Sequence, residues 1–291
     1  MTKEWVDENY DGVVPCTTLD NPPQNLHCEY RPSVPFESAD ALWYFAPLIG
    51  DIEPDPSKPT IMHSTECAAY YPILYNTEFM KKFDYTMLYY RNSTAPILYA
   101  PFDIRTETTR PPGFAERVPR VAFVNRNCDD KSGRASITRG LIDLGVPVDA
   151  ASECLHNVEG DSNANKTALF RSHRVCITME NSVDRDYVSE KLWDGFRGGC
   201  VPVYLGAPNI LEDYAPTPDS MILVDKYDLR ELADEIQLVL ANEDVFNKYT
   251  SWRTKSFQQL SSGYRKTLNM HYGPSPQCQM CRVLLNDGSI N

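Results

Sequence analysis

The run Met179-Glu180-Asn181-Ser182, then Asp186-Tyr187-Val188-Ser189-Glu190-Lys191-Leu192-Trp193, then Gly199-Cys200-Val201-Pro202-Val203-Tyr204-Leu205-Gly206 concentrates the residues that could do chemistry. It reads as strand end, polar loop, helix and strand. A helix start attracts anions through its unpaired N–H groups and its macrodipole. Lys191 close to that first turn is electrostatically misplaced unless negative charge is held there as well. Tyr187, Glu190 and Lys191 therefore suit a phosphate-bearing ligand. The plainer alternative is a solvated Glu-Lys pair on a helix surface, which has little diagnostic value by itself. The position between two expected parallel strands favours the ligand, because such sheets bind ligands beyond the carboxyl ends of their strands.

Those strands and helices follow from the pattern. Val121-Ala122-Phe123-Val124 is a buried strand, followed by a loop and a helix over 134–144. Val146-Pro147-Val148 is a short second strand, although Pro147 cannot donate to a ladder. Arg174-Val175-Cys176-Ile177-Thr178 is a third, Glu190 to Arg197 a helix, Val201 to Leu205 a fourth strand and Met221 to Val224 a fifth. Leu232, Ile236, Leu238, Val239 and Leu240 give the apolar face of a helix from Leu229 to Ala241, and another helix runs from Val245 to Leu260. Strands alternating with helices predict a doubly wound parallel sheet. The dinucleotide fingerprint Gly-x-Gly-x-x-Gly is absent, which argues against an ordinary dehydrogenase.

The first part is less regular. Residues 1–35 are polar, proline-bearing and without clear periodicity. Strands are expected at Ala41 to Phe45, Ile61 to His63 and Tyr85 to Tyr90, with a helix through Asn76 to Lys82. Residues 105–119 hold Arg110-Pro111-Pro112-Gly113 and read as a linker. The expected organisation is an N-terminal domain over 1–115, a C-terminal domain over 116–270 and a tail over 271–291.

The chain has 291 residues, 42% hydrophobic and 23% charged, which predicts a packed globular protein. Its formal net charge of −12 argues against general nucleic-acid binding, while leaving room for a local basic pocket. No stretch is long and apolar enough to span a bilayer, and Met1-Thr2-Lys3-Glu4-Trp5-Val6 has no signal-peptide core. The chain reads as a soluble protein or the excised luminal part of an anchored one. Of nine cysteines, Cys176 and Cys200 sit in apolar strands and read as core thiols. Cys278-Gln279-Met280-Cys281 reads preferentially as a short-loop disulfide between Cys278 and Cys281, which implies an oxidising compartment. The alternatives are a redox pair, or a zinc site completed by Cys16 and Cys28. Asn92-Ser93-Thr94 and Asn165-Lys166-Thr167 are glycosylation sequons.

The segment from Val175 to Asp219 resembles the donor-binding motif of the GDP-fucose-dependent alpha-1,3-fucosyltransferases. Leu205-Gly206-Ala207-Pro208-Asn209-Ile210 with Tyr214-Ala215-Pro216-Thr217-Pro218-Asp219-Ser220 most resembles the branch that fucosylates the core of N-glycans. Glu66-Cys67-Ala68-Ala69-Tyr70-Tyr71-Pro72, Val124-Asn125-Arg126-Asn127-Cys128 with Arg134, and the terminal Cys278-x-x-Cys281 are similar to further motifs of that branch, in the family's order. Cys67 stands where the family has Ser, Met179 where it has Phe, and the N-terminal part looks short.

The resemblance implies the α/β GT-B arrangement, two Rossmann-like domains facing across a cleft, with GDP-fucose in the C-terminal domain. It implies an inverting transfer of L-fucose to a GlcNAc hydroxyl. Glu66 is then the base that takes the acceptor proton, with His63 as the competitor. Arg134 and Lys191 clamp the departing diphosphate. Asn181 and Tyr187 contact the sugar nucleotide, Glu190 bonds ribose or fucose hydroxyls, and Glu180 lies near the donor. Asp184-Arg185-Asp186 is not read as a metal motif; Asp186 reads as a helix N-cap. Trp193 and Leu192 read as core. No metal is expected to be obligatory, with stimulation by manganese or magnesium left open. The implied partners are GDP-fucose and an N-glycan or glycoprotein acceptor, with no nucleic acid. The implied location is the Golgi lumen, as the soluble part of a type II membrane protein whose anchor is not in this chain. The alternatives are a Lewis-type antenna enzyme and an inactive glycan- or sugar-nucleotide-binding homologue.

Overall fold

The computed structural model describes residues 12–20, 22–31, 35–158 and 166–288. These form two compact units. The first takes the residues up to Leu98 and those from Met270 onward; the second is Tyr99–Asn269. The start at Met1 to Val6 and the sequon residue Asn165 lie outside the described residues.

In the first unit, β1 (Gly12–Thr17) and β2 (Asn25–Tyr30) pair as an antiparallel hairpin. β3 (Leu42–Phe45), β4 (Thr60–Ser64) and β5 (Tyr85–Leu88) form a parallel sheet with β4 in the middle. All five residues of β4 are buried, as a strand covered on both faces must be. Neighbouring residues serve opposite faces: Met62 packs with Leu74 and Phe83, Ile61 with Met87 and Ile97. Between β4 and β5 runs the short helix α1 (Thr77–Met80), capped by the Asn76 side chain.

The second unit runs β6 (Val118–Phe123), α2 (Arg134–Asp143), β7 (Val148–Ala150), α3 (Lys166–Ser172), β8 (His173–Ile177), α4 (Glu190–Gly198), β9 (Val201–Tyr204), β10 (Ile222–Leu223), α5 (Leu229–Ala241), α6 (Glu243–Thr250) and α7 (Ser262–His271). Its five strands are parallel in the order β10-β9-β8-β6-β7. One sheet face presents Val121, Phe123, Val175, Ile177, Val201 and Val203 to α2 and α5, while Ala122 and Cys176 meet Phe170 of α3 on the other. This is the doubly wound sheet that the sequence predicts. The chain leaves β6 toward β7 on one side and returns to β8 on the other. The reversal puts a topological switch point between β6 and β8. The loops after these two strands, 124–133 and 178–189, are thus the ones positioned to form a site.

Several expectations need correction. Pro147 precedes β7 instead of lying within it; only its carbonyl joins the pairing, accepting from the Val121 N–H at 2.9 Å. Residues 105–119 are not a linker between units but part of the second. Arg117 there is buried and donates to the carbonyls of Phe170, Arg171, His173 and Gly198. The helix expected to reach Leu260 ends at Thr250 and continues as short 3-10 turns. Cys176 and Cys200 are not thiols but a disulfide, their Cα atoms 5.8 Å apart beside neighbouring parallel strands.

The chain's last helix, α8 (Pro276–Asn286), belongs to the first unit and is no separate tail. Its Cys278 and Cys281 do not pair with each other. They lie three residues apart on one helix face, so both point at the hairpin of β1 and β2. Cys16 bonds Cys278 and Cys28 bonds Cys281, with Cα separations of 5.2 and 6.2 Å. The four cysteines weighed as a zinc set do come together, but as two disulfides. A fourth bridge joins Cys128 to Cys154, and Cys67 is buried outside all four.

Candidate active site

The loop after β8 and the start of α4 carry a polar cluster of the second unit. Ser189, not Asp186, occupies the N-cap position of α4. Glu180, three residues past β8, is fully buried, and its carboxylate accepts from the Ser189 N–H at 2.7 Å and the Ser189 hydroxyl at 2.5 Å. Lys191 Nζ donates to Ser189 Oγ at 2.9 Å, and lies 3.2 Å from Glu190 and 3.5 Å from Glu180. Lys166, from the start of α3, adds a second ammonium 3.5 Å from Glu190 and 2.7 Å from Asp194. The negative charge that Lys191 requires at a helix start is thus present in the protein itself. An incoming diphosphate would compete with Glu190, whose side chain is half exposed, and not with buried Glu180.

The electrostatics follow from burial and pairing. Burial pushes the Glu180 carboxyl up, with Lys191 and the Ser189 bonds working the other way. For Glu190 burial also works upward, but Lys191 and Lys166 prevail and hold it down to about 2. Burial disfavours the Lys191 ammonium, yet Glu180 and Glu190 outweigh it and keep its pKa above the ordinary lysine value. Lys191 is therefore a fixed positive charge rather than a proton donor.

The loop after β6 docks onto the loop after β8. The N–H groups of Lys131 and Ser132 donate to the Asn181 carbonyl at 2.7 and 3.0 Å, and the Ser132 hydroxyl donates to the Glu180 carbonyl at 2.6 Å. Asp130 accepts from the backbone N–H groups of Arg134 and Ala135 and so closes the start of α2. Arg134 is in the interior, 2% exposed, and its guanidinium donates to Asn125 Oδ1, the Asn127 carbonyl and the Met179 carbonyl. The expected clamp role does not match that placement. A buried guanidinium held by carbonyl oxygens, with the Asp130 carboxylate 4.0 Å from its Nε, braces the two loops.

Tyr187 is also buried, its ring edge-on to Tyr99 with centroids 6.2 Å apart. Asn181 is half-buried and bridges the loops through its carbonyl. Trp193 and Leu192 are core, as expected. Asp186 is no N-cap: it is a buried non-glycine residue at φ 64°. Asn209 and Tyr214 hold it there. Asn209 Nδ2 donates to Asp186 Oδ1 at 2.7 Å, the Asp186 N–H donates to Asn209 Oδ1 at 3.0 Å, and the Tyr214 hydroxyl reaches Asp186 Oδ1 at 3.0 Å. Ser189, Lys166, Asn209 and Tyr214 were not singled out as site residues from sequence. Lys166 lacks any local signal, whereas Ser189, a preferred N-cap type directly before the helix expected from Glu190, and Asn209 and Tyr214 all stand in the runs quoted above. Among the described residues, no group of three His, Cys, Asp or Glu is placed to hold a metal ion.

In the first unit, Glu66 follows the carboxyl end of β4 and is half-buried. A tight turn fixes it: its N–H donates to Ser64 Oγ at 3.0 Å, and that hydroxyl lies 3.0 Å from the Glu66 carbonyl. Burial raises the Tyr71 phenol, and the negative charge of Glu66 raises it further, so the two side chains are within electrostatic reach. His63 is buried in β4, its ring centroid 5.0 Å from that of Trp43 and 5.3 Å from that of Phe45.

Known proteins bear on this site. The solved structure of an alpha1,3-fucosyltransferase with GDP superposes with a TM-score of 0.57 at 16% identity, covering 82% of this chain and 78% of that one. The same enzyme class with GDP-fucose gives 0.57 at 17% identity and the same coverage. The two α/β units with parallel sheets are thus of the GT-B type. GDP-fucose protein O-fucosyltransferase 3 of Xenopus tropicalis is 31% identical over 148 residues, 47% of this chain and 31% of that protein. The Homo sapiens protein of that name is 30% identical over 164 residues, 52% of this chain and 34% of the relative. The chain thus matches about a third of the length of these curated relatives. The profile of the C-terminal part of glycosyltransferase family 10, the fucosyltransferases, matches residues 114–290, which include both docked loops and all of α4. This chain belongs to glycosyltransferase family 10.

Proposed function

We propose that the chain transfers L-fucose from GDP-fucose to a sugar hydroxyl with inversion at the anomeric carbon. The observation that carries this reading is the Glu180–Ser189–Lys191 cluster at the start of α4, beside the switch point of the sheet and within the family match. The diphosphate binds at the α4 N-terminus, where the helix dipole and the Lys191 ammonium meet it. As the bond to fucose breaks, negative charge grows on the leaving phosphate oxygen, and a preorganised cation stabilises it there. Glu190, released from Lys191 by the phosphate, turns to hydroxyls of the donor. Arg134 acts through the backbone, holding the two loops in register. Glu66 takes the acceptor proton. The reaction has no obligatory metal.

For the acceptor, the Ala207-Pro208-Asn209 and Tyr70-Tyr71-Pro72 segments favour the innermost GlcNAc of N-glycans in alpha-1,3 linkage. A second reading, a hydroxyl on a protein side chain, is favoured by the names of the curated relatives. The disulfides favour an oxidising luminal setting such as the Golgi. Incubation with GDP-fucose and a panel of defined N-glycans, antenna glycans and folded glycan-free protein domains, read by mass spectrometry, tests the proposal. Gain of one fucose on the core GlcNAc is the expected result. Gain on a protein side chain selects the second reading, and no transfer to any acceptor overturns both.

A further inference from the structure

We infer that Asn92 is an N-glycosylation site of this protein. Asn92 is exposed on the turn that follows β5, where the Ser93 N–H donates to the Tyr90 carbonyl at 3.0 Å. The chain then returns beside β5, with the Ala95 N–H donating to the Thr86 carbonyl at 3.0 Å and Ile97 to Leu88 at 2.8 Å. Thr94 pairs with Thr86 in both directions, at 3.1 and 3.2 Å, so the turn is held rigidly with the asparagine at its tip. A bulky hydrophilic glycan there meets solvent and displaces no core residue. The four disulfides are the independent observation: they form where the glycosylation machinery also works. The donor is a lipid-linked oligosaccharide diphosphate. The Asn92 amide nitrogen bonds the anomeric carbon, the bond from that carbon to the phosphate oxygen breaks, and one amide proton leaves with the lipid diphosphate. The turn is coupled to the Glu66 segment, because the Tyr89 hydroxyl accepts from the Ala68 N–H at 3.0 Å. Peptide mass mapping of the chain secreted from a eukaryotic host tests this. A hexosamine-bearing peptide at Asn92, absent in Thr94→Ala, is expected; an unmodified Asn92 in secreted, disulfide-bonded protein overturns it.

We infer separately that Asn209 is a positioning residue for the donor, which rests on the function proposed above. A left-handed backbone at a non-glycine residue is strained and persists only where its surroundings over-determine it. At Asp186 those surroundings are the two reciprocal bonds with Asn209 and the Tyr214 hydroxyl. Asn209 is itself fixed by donating to Asp213 at 2.8 Å. The Asp186 carbonyl in turn accepts from the Val188 N–H at 3.0 Å, one residue before Ser189. The latch therefore sets where Ser189 and Lys191 stand. Calorimetry with GDP on Asn209→Ala, Tyr214→Phe and Asp186→Asn tests it. Asn209→Ala should weaken GDP binding about fivefold or more and Tyr214→Phe by a smaller factor, while Asp186→Asn, which keeps the acceptor oxygen and tolerates the left-handed backbone, stays within about twofold. Unchanged affinity in folded Asn209→Ala or Tyr214→Phe overturns the latch. Failure of the unsubstituted chain to bind GDP would instead overturn the donor assignment.

Discussion

Glu190 shows how a half-exposed carboxylate can be kept ionised far below its ordinary range. Its folded pKa of about 2 lies below the reference value of 4.5 because two ammonium groups face it. A carboxyl lowered on folding contributes stability that is complete above the unfolded pKa and is lost as the pH falls through the folded one. The stability advantage of the protein over Glu190→Gln should therefore be constant above about pH 5 and shrink between there and about pH 2. Solvent screening keeps the effect small. Thermal melts across that range check it; a gap that does not change with pH contradicts the ion-pair assignment. Glu66 makes a different prediction. Glu66→Gln should retain GDP affinity and lose about a hundredfold or more in turnover, the usual contribution of a general base. Turnover within about tenfold of the parent would remove Glu66 from that role.

At the scale of elements, the site depends on close approach. Gly206, two residues past β9, lies so near the Glu180 side chain that a Cβ there would stand 2.8 Å from Glu180 Cγ and against the Tyr204 hydroxyl. Gly206→Ala should therefore weaken GDP binding as well as stability, by displacing the carboxylate that orients Ser189 and Lys191. A melt and a GDP titration separate these effects, and a variant indistinguishable from the parent in both would refute the packing argument. The hairpin of β1 and β2 gives a second test. A two-stranded hairpin is marginal alone, and here it is fixed to α8 by two bridges, at sequence separations of 262 and 253. Either bridge closes essentially the same long loop, so losing one leaves most of the entropic constraint in place. Losing both should cost about 2–5 kcal/mol. Melts of Cys16→Ser/Cys278→Ser, Cys28→Ser/Cys281→Ser and the quadruple variant should be strongly non-additive; additive losses contradict the shared-constraint account.

Across the whole molecule, what sequence could read was what repeats with a period or follows from a local signal. The apolar runs around Val121, Val175 and Val201 gave the parallel strands, and the face of Leu232, Ile236 and Val239 gave α5, capped by Asp228. Long-range partners were not legible. Cys278 looks complete with Cys281 nearby, and only the folded hairpin brings Cys16 within reach. Arg134 has the composition of a ligand clamp, but the loop wraps it in carbonyls that no spacing rule reveals. Asp186 looks like a helix cap because its type suits one, yet Asn209, twenty-three residues on, draws it into the left-handed region. Lys191 is where both kinds of information agree: its position at a helix start beside Glu190 was legible, and its second carboxylate partner, buried Glu180, is visible only in the fold.

That lysine also offers the most direct test. Calorimetric titration of GDP into the chain and into Lys191→Ala should give saturable binding to the first. The second should bind at least about tenfold more weakly, the weight of one charge-assisted contact to a phosphate. Equal affinity for GDP in the two proteins would contradict the account.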